Sequence, residues 1–84
     1  MSDRLKQDIS VGNNLREVRV KNGLSQELLV RQLGAIGVKT SREIISQMER
    51  GVCNIKISYL LGLHTLFGIS FDAFFKGVSL PTNQ

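Results

Sequence analysis

Arg42, Glu43, Ser46 and Gln47 lie within six positions of one another in this 84-residue chain, and a helix would bring them to one face. At about 100° per residue with Arg42 at zero, Ser46 falls at about 40°, Glu43 at about 100° and Gln47 at about 140°. Ile44, Met48 and Ile45 fall on the other side, between about 200° and 300°, so the segment predicts a helix with opposed polar and apolar faces. The polar types are those that hydrogen-bond to base edges. A guanidinium matches guanine O6 and N7, an amide matches adenine N6 and N7, a carboxylate accepts from cytosine N4, and a hydroxyl is tolerant. Any amphipathic helix with a solvated face carries similar residues, so this face needs support from the rest of the chain.

Other chemistries find no foothold. No nucleophile, base and orienting group are grouped as an enzyme would need, and no glycine-rich phosphate cradle of recognised spacing occurs. One cysteine, Cys53, and one histidine, His64, cannot make an internal disulfide or a zinc ligand set, and no metal or cofactor is expected. Cys53 reads as an inert thiol, and His64, set among leucines, as a surface or interface residue. No apolar run approaches the roughly 20 residues of a membrane-spanning helix. Met1-Ser2-Asp3-Arg4-Leu5-Lys6 has no apolar stretch behind it to act as a signal peptide, so a cytoplasmic location is expected. Eleven Lys and Arg against seven Asp and Glu give a formal net charge of +4, a modest bias toward polyanions.

The elements that would position the polar face are five helices, with no convincing strand. Ser10 can cap the first, which runs to about Lys21 with Val11, Leu15 and Val18 on one stripe and Gly23 as its stop. Ser25 caps the second, with Glu27 in its first turn and Leu29, Val30 and Leu33 on one side. Gly34 to Thr40 is the connecting turn. Ser41 caps the third helix, Arg42 to about Arg50, ended by Gly51. The fourth begins between Lys56 and Ser58 and ends at Phe67-Gly68, and Gly62 within it costs about 1 kcal/mol relative to alanine in an exposed helix. A short fifth, capped by Ser70, spans Phe71 to about Lys76. The reading is a single domain over residues 1–84, ordered over about 9–77 with flexible segments 1–8 and 78–84.

Leu15, Arg19, Gly23-Leu24-Ser25-Gln26, Leu29, Ile45-Ser46, Met48-Glu49-Arg50-Gly51 and Gly68-Ile69-Ser70 together resemble the signature of the Cro/repressor-type helix-turn-helix family of bacterial and phage regulators. The resemblance covers about Val11 to Phe75. It implies an all-α, compact five-helix, lambda-repressor-like DNA-binding domain in which helices 2 and 3 form the motif and helix 3 lies in the major groove. Carried over by position, Arg42, Glu43, Ser46 and Gln47 would face bases. Ser25, Gln26, Thr40, Ser41, Asn54 and Lys56 would meet the DNA backbone, the helix N-termini supplying N–H groups to phosphates. Arg19 and Glu49 would form an internal ion pair, and Glu49, at about 340° on the helical plot, borders the core face. The chain departs from the family in its longer turn from Gly34 to Thr40, in Val30 where alanine is usual, and in the weakly basic loop Val52-Cys53-Asn54-Ile55-Lys56.

The C-terminal half is more apolar than one small core needs, which points to a protein interface. The resemblance implies a homodimer through this half, in the region of Leu60, Leu63, Phe67, Phe71 and Phe74, presenting two recognition helices to an inverted repeat. The function read from all this is a sequence-specific regulator of transcription, a repressor acting on double-stranded DNA. The competing reading is a protein-interaction module, such as an antitoxin or regulatory adaptor with secondary DNA binding.

Overall fold

A computed structural model of the chain describes residues 10–80 and, by its backbone, the pair Arg4–Leu5. Five helices carry the fold: α1 Gly12–Lys21, α2 Gln26–Ala35, α3 Arg42–Glu49, α4 Ile57–Phe67 and α5 Phe71–Phe74. Two strands that the sequence did not announce accompany them. β1, Arg4–Leu5, pairs antiparallel with β2, Ile55–Lys56, Arg4 opposite Lys56 and Leu5 opposite Ile55. Two residues are too few to show the alternation by which a strand is read, and their partners lie some fifty positions apart, so only the folded chain brings them together. The segments expected to be flexible, 1–8 and 78–84, lie largely outside the described residues; Val78, within them, packs against the core.

Local chemistry explains most of the helix ends. The Ser25 hydroxyl accepts from the backbone N–H of Leu28 at 3.0 Å, and the Ser41 hydroxyl from that of Ile44 at 3.1 Å, each satisfying an amide that has no partner within its own helix. Ser10 stands one residue outside its expected place. Val11 is the cap of α1, and the Ser10 hydroxyl accepts from Gly12 N at 3.1 Å instead. After α2, Gly37 N reaches Gly34 O at 3.1 Å and Val38 N reaches Leu33 O at 2.9 Å. This pair of bonds needs a left-handed residue, which Gly37 supplies at φ +90°, and it folds Val38 back toward Leu33. The same two bonds end α3 around Gly51, so both helices of the motif stop sharply. α5 closes at Phe74, two residues before its expected end at Lys76.

Leu15, Leu29, Leu33, Ile45, Leu63 and Phe74 are fully buried, each contributing about 1.5–3 kcal/mol relative to exposure. α1 packs on α3 and α5, α2 on α3 and α4, and α4 on α5 and β2. This arrangement corrects the interface expected from the sequence. Leu60, Leu63 and Phe74 face inward and form the core of one molecule, because α4 supplies the wall against which α2 and α5 close. Phe67 is half-buried against the same core, while Phe71 is exposed. A second correction concerns α3: Ile45 and Met48 are buried, but Ile44 remains 38% exposed, because at about 200° it lies on the border of the apolar face.

Gly62 is no mere interruption of α4, as its neighbours show. A Cβ built there would lie 2.6 Å from Leu33 Cδ2 and 3.4 Å from Val38 Cγ2, so the missing side chain lets α4 approach α2 and its turn closely. Gly34, inside α2, has nothing within 4 Å of the same position. Opposite outcomes are therefore expected. Gly34→Ala gains helix propensity of about 0.8–1 kcal/mol and raises Tm by roughly 4–8 °C. Gly62→Ala gains the same propensity but crowds the fully buried Leu33, an overpacking cost of about 1–3 kcal/mol, and lowers Tm. Thermal melts of the two variants check this, and shifts of equal sign and size would contradict the close approach of α4 to α2.

Candidate nucleic-acid interface

α3 is fixed on its apolar side by Ile45, Met48 and Glu49, all buried, and offers its other side to solvent. An open hollow of about 390 Å³ on that side is lined by Gln26, Arg42, Glu43, Ser46, Gln47 and Arg50. The four side chains expected to read bases thus come together, joined by Gln26 from the start of α2. Arg50 is the addition. It falls at about 80° on the helical plot, between Ser46 and Glu43, so the angle that grouped the other four places it with them. The hollow carries two guanidinium groups and one carboxylate among neutral donors and acceptors, which suits an anionic, hydrogen-bonding partner.

The residues expected along the DNA backbone divide. Ser25 and Ser41 spend one acceptor each on capping and keep their hydroxyl protons and the adjoining helix N-terminal amides, which are suited to phosphate oxygens. Asn54 is exposed and Lys56 half-buried in β2, and neither lines the hollow. Thr40 is half-buried and borders a second hollow, with its Oγ1 buried and without a hydrogen-bond partner among the described residues, so in this conformation the hydroxyl is not presented to a phosphate. That second hollow, of about 500 Å³, is lined by Glu27, Val30, Arg31, Thr40, Ser41 and Arg42. Val30, at the position where the family usually has alanine, packs partly against the core and partly into this second hollow.

Beneath the face lies an ion pair. Arg19 Nε donates to Glu49 Oε2 at 2.7 Å and Nη2 to Oε1 at 3.0 Å, a two-point fit, while Nη1 donates to the Leu24 carbonyl at 2.8 Å. The Glu49 side chain is only 4% exposed. The hydrogen bonds to Glu49 raise the pKa of the Arg19 guanidinium above its usual value, against the opposing effect of burial. Burial likewise pushes the nearby Tyr59 hydroxyl far above the usual tyrosine range, with the Glu49 charge adding to the shift. Gln26 Nε2 also donates to Glu49 Oε1, at 3.3 Å. One carboxylate near the C-terminus of α3 therefore binds both α1 and the first residue of α2, which fixes the spacing of the two helices that bound the hollow.

The helix-turn-helix family model matches residues 15–74, from the middle of α1 to the end of α5. The chain belongs to the helix-turn-helix family. Among solved structures it is similar to the restriction-modification controller protein C.AhdI from Aeromonas hydrophila, at 34% sequence identity and a TM-score of 0.63, over 77% of this chain and 91% of that one. None of the curated proteins matches it. In this helix-turn-helix domain, α2 and α3 are the motif and α3 is the helix whose polar face is free. It is an all-α DNA-binding domain of the kind that regulates transcription. No helix among the described residues is long and apolar enough to cross a membrane.

Proposed function

We propose that this domain is a sequence-specific repressor that lays α3 in the major groove of an inverted-repeat operator and binds it as a homodimer. The observation that carries the proposal is the convergence of Arg42, Glu43, Ser46, Gln47 and Arg50 on one exposed face, braced from behind by the Arg19–Glu49 pair. Arg42, Glu43, Ser46 and Gln47 meet base edges; Ser25, Gln26, Ser41, Asn54 and Lys56 meet sugar and phosphate. Arg50, at the C-terminal end of the face, serves as a further phosphate or base contact. Because the similar C.AhdI is a restriction-modification controller, the genes proposed to be under control are of that kind.

The dimer is formed through residues that the core leaves free. Ile57, Leu61, Phe71 and Phe75 are 40–49% exposed, and Ile57 and Leu61 lie one turn apart on α4. His64 joins α4 to α5: its Nδ1 lies 2.7 Å from the Ile69 carbonyl, and its ring stacks on Phe71 with centroids 4.3 Å apart. A second copy of the chain covering this ridge would present a second α3 helix, and an inverted repeat asks that the two stand about one helical turn of DNA, roughly 34 Å, apart.

Selection of bound sites from a random duplex pool, followed by titration of the selected site, tests the proposal. The expected site is an inverted repeat that binds two chains, with log K falling by about 0.9 per log unit of salt for each phosphate neutralised. Arg42→Ala and Gln47→Ala each lose sequence preference, by about 1–3 kcal/mol at the base concerned. Weak, sequence-indifferent binding that these substitutions do not alter would transfer the function to the protein-interaction reading.

A further inference from the structure

Arg42 is the one residue common to both hollows beside the motif. It borders the groove-facing hollow with Gln26, Glu43, Ser46, Gln47 and Arg50, and it borders the second with Glu27, Arg31 and Ser41. In that position its Nη1 lies 3.8 Å from Glu27 Oε2, and the two side chains remain 62% and 74% exposed. Glu27 belongs to the first turn of α2, the next residue after Gln26. On the DNA-binding reading above, a carboxylate in the first turn of α2 would repel an approaching phosphate backbone. Its placement calls for a compensating role.

We propose that Glu27 is a specificity-determining residue which positions Arg42 for base reading; the proposal rests on the DNA-binding reading above. A guanidinium has five N–H donors in a rigid plane. The Nη1 corner of Arg42 lies toward the Glu27 carboxylate without hydrogen-bonding it, and the rest of the fork stays available at the groove-facing hollow that Arg42 also borders. The pair therefore directs the fork without withdrawing it from the groove. A free arginine side chain would instead swing to the nearest phosphate, an interaction that carries no sequence information. Glu27 acts against sequence-indifferent binding in two ways: it repels the phosphate, and it engages the cation that would otherwise seek it. On a duplex that presents guanine at the right step, the oriented fork makes its two hydrogen bonds with less ordering left to do.

The alternative is that Glu27 merely competes with DNA for Arg42. The two roles give opposite signs. A competitor weakens the cognate complex more than the indifferent one, so removing it raises specificity; a positioning residue does the reverse.

The test uses the full chain with two duplexes of equal length and base composition, a site selected from a random pool and a scrambled one, titrated over a range of salt. With Glu27→Gln, affinity for the scrambled duplex is expected to rise by about threefold while that for the selected site stays nearly unchanged, so their ratio falls by about two- to threefold, within the range open to an exposed ion pair. The loss falls on a single base position in each half-site, the one at which Arg42→Ala also loses preference. In an Arg42→Ala background, Glu27→Gln raises both affinities equally and leaves the ratio unchanged. A ratio that rises, one that stays constant, or one that falls equally without Arg42 would overturn the proposal. If the wild-type chain itself shows no preference between the duplexes, the DNA-reading assignment fails first and this one with it; preference in the wild type that Glu27→Gln leaves intact removes this one alone.

Discussion

Glu49→Ala is expected to lower stability by about 3–5 kcal/mol, which in a domain of this size lowers Tm by about 12 °C or more. The carboxylate is 4% exposed and the Arg19 side chain 11%, so truncation strands a guanidinium away from water with the Leu24 carbonyl as its remaining partner. The cost is mostly that of the unpaired charge, not of the lost attraction. For the same reason, Arg19→Met with Glu49→Leu, which removes both charges and keeps the volume, is expected to recover much of the loss. DNA affinity should not recover with it, because Gln26 would still lack the carboxylate that holds its amide at 3.3 Å. Thermal melts and DNA titrations of the single and double variants check both parts. A Tm unchanged by Glu49→Ala would show that the pair does not bind α1 to α3.

Gly12→Ala is the second large effect, and it has the opposite sign to the propensity rule. At an open helical position, alanine for glycine gains about 1 kcal/mol. Here the added Cβ would fall on the Glu49 carbonyl oxygen and lie 2.7 Å from the Glu49 carbonyl carbon and from the Met48 carbonyl oxygen. These are backbone atoms at the end of α3 and no rotamer moves them aside, so α1 must draw back from α3. A loss of about 3 kcal/mol, the upper end for overpacking, is expected. Because α1 braces α3, which carries the reading face, its withdrawal loosens the seating of that face, so affinity for the selected site should fall further than for a scrambled duplex even where the variant is still folded. Urea unfolding followed by circular dichroism, with titration of both duplexes in parallel, measures the two consequences. A stabilised variant would mean that the N-terminus of α1 does not press on α3.

The two variants mark the limits of what could be read along the chain. Glu49 was legible because its angle on the helical plot and its place in the Glu-Arg-Gly sequence both pointed inward, toward Arg19. Gly12 was not: it follows an apolar valine in an ordinary first turn, and nothing local distinguishes it from a tolerated glycine. Gly62 was read as a defect in α4 for the same reason, and its meaning depends on Leu33, a residue 29 positions away. β1 and β2 are a third case, since each is two residues long and is defined wholly by the other.

The surfaces follow the same division. Helical periodicity separated the polar face of α3 from its apolar face, and it sufficed to gather Arg42, Glu43, Ser46 and Gln47. It could not sort the apolar residues of α4 and α5, because nearly every position there is hydrophobic and the stripe has no clear edge. Leu60, Leu63 and Phe74 consequently looked as available for a partner as Phe71. The sequence by itself determined the five helices, the serine caps of α2 and α3, and which side chains of α3 share a face, because hydrogen-bonding and 3.6-residue periodicity act over a few positions. Only the tertiary structure decided which apolar residues are core, where glycine is required for contact, that the Thr40 hydroxyl is buried, and that Glu27 stands against Arg42, because each of these depends on the distance between segments that the chain itself does not hold together.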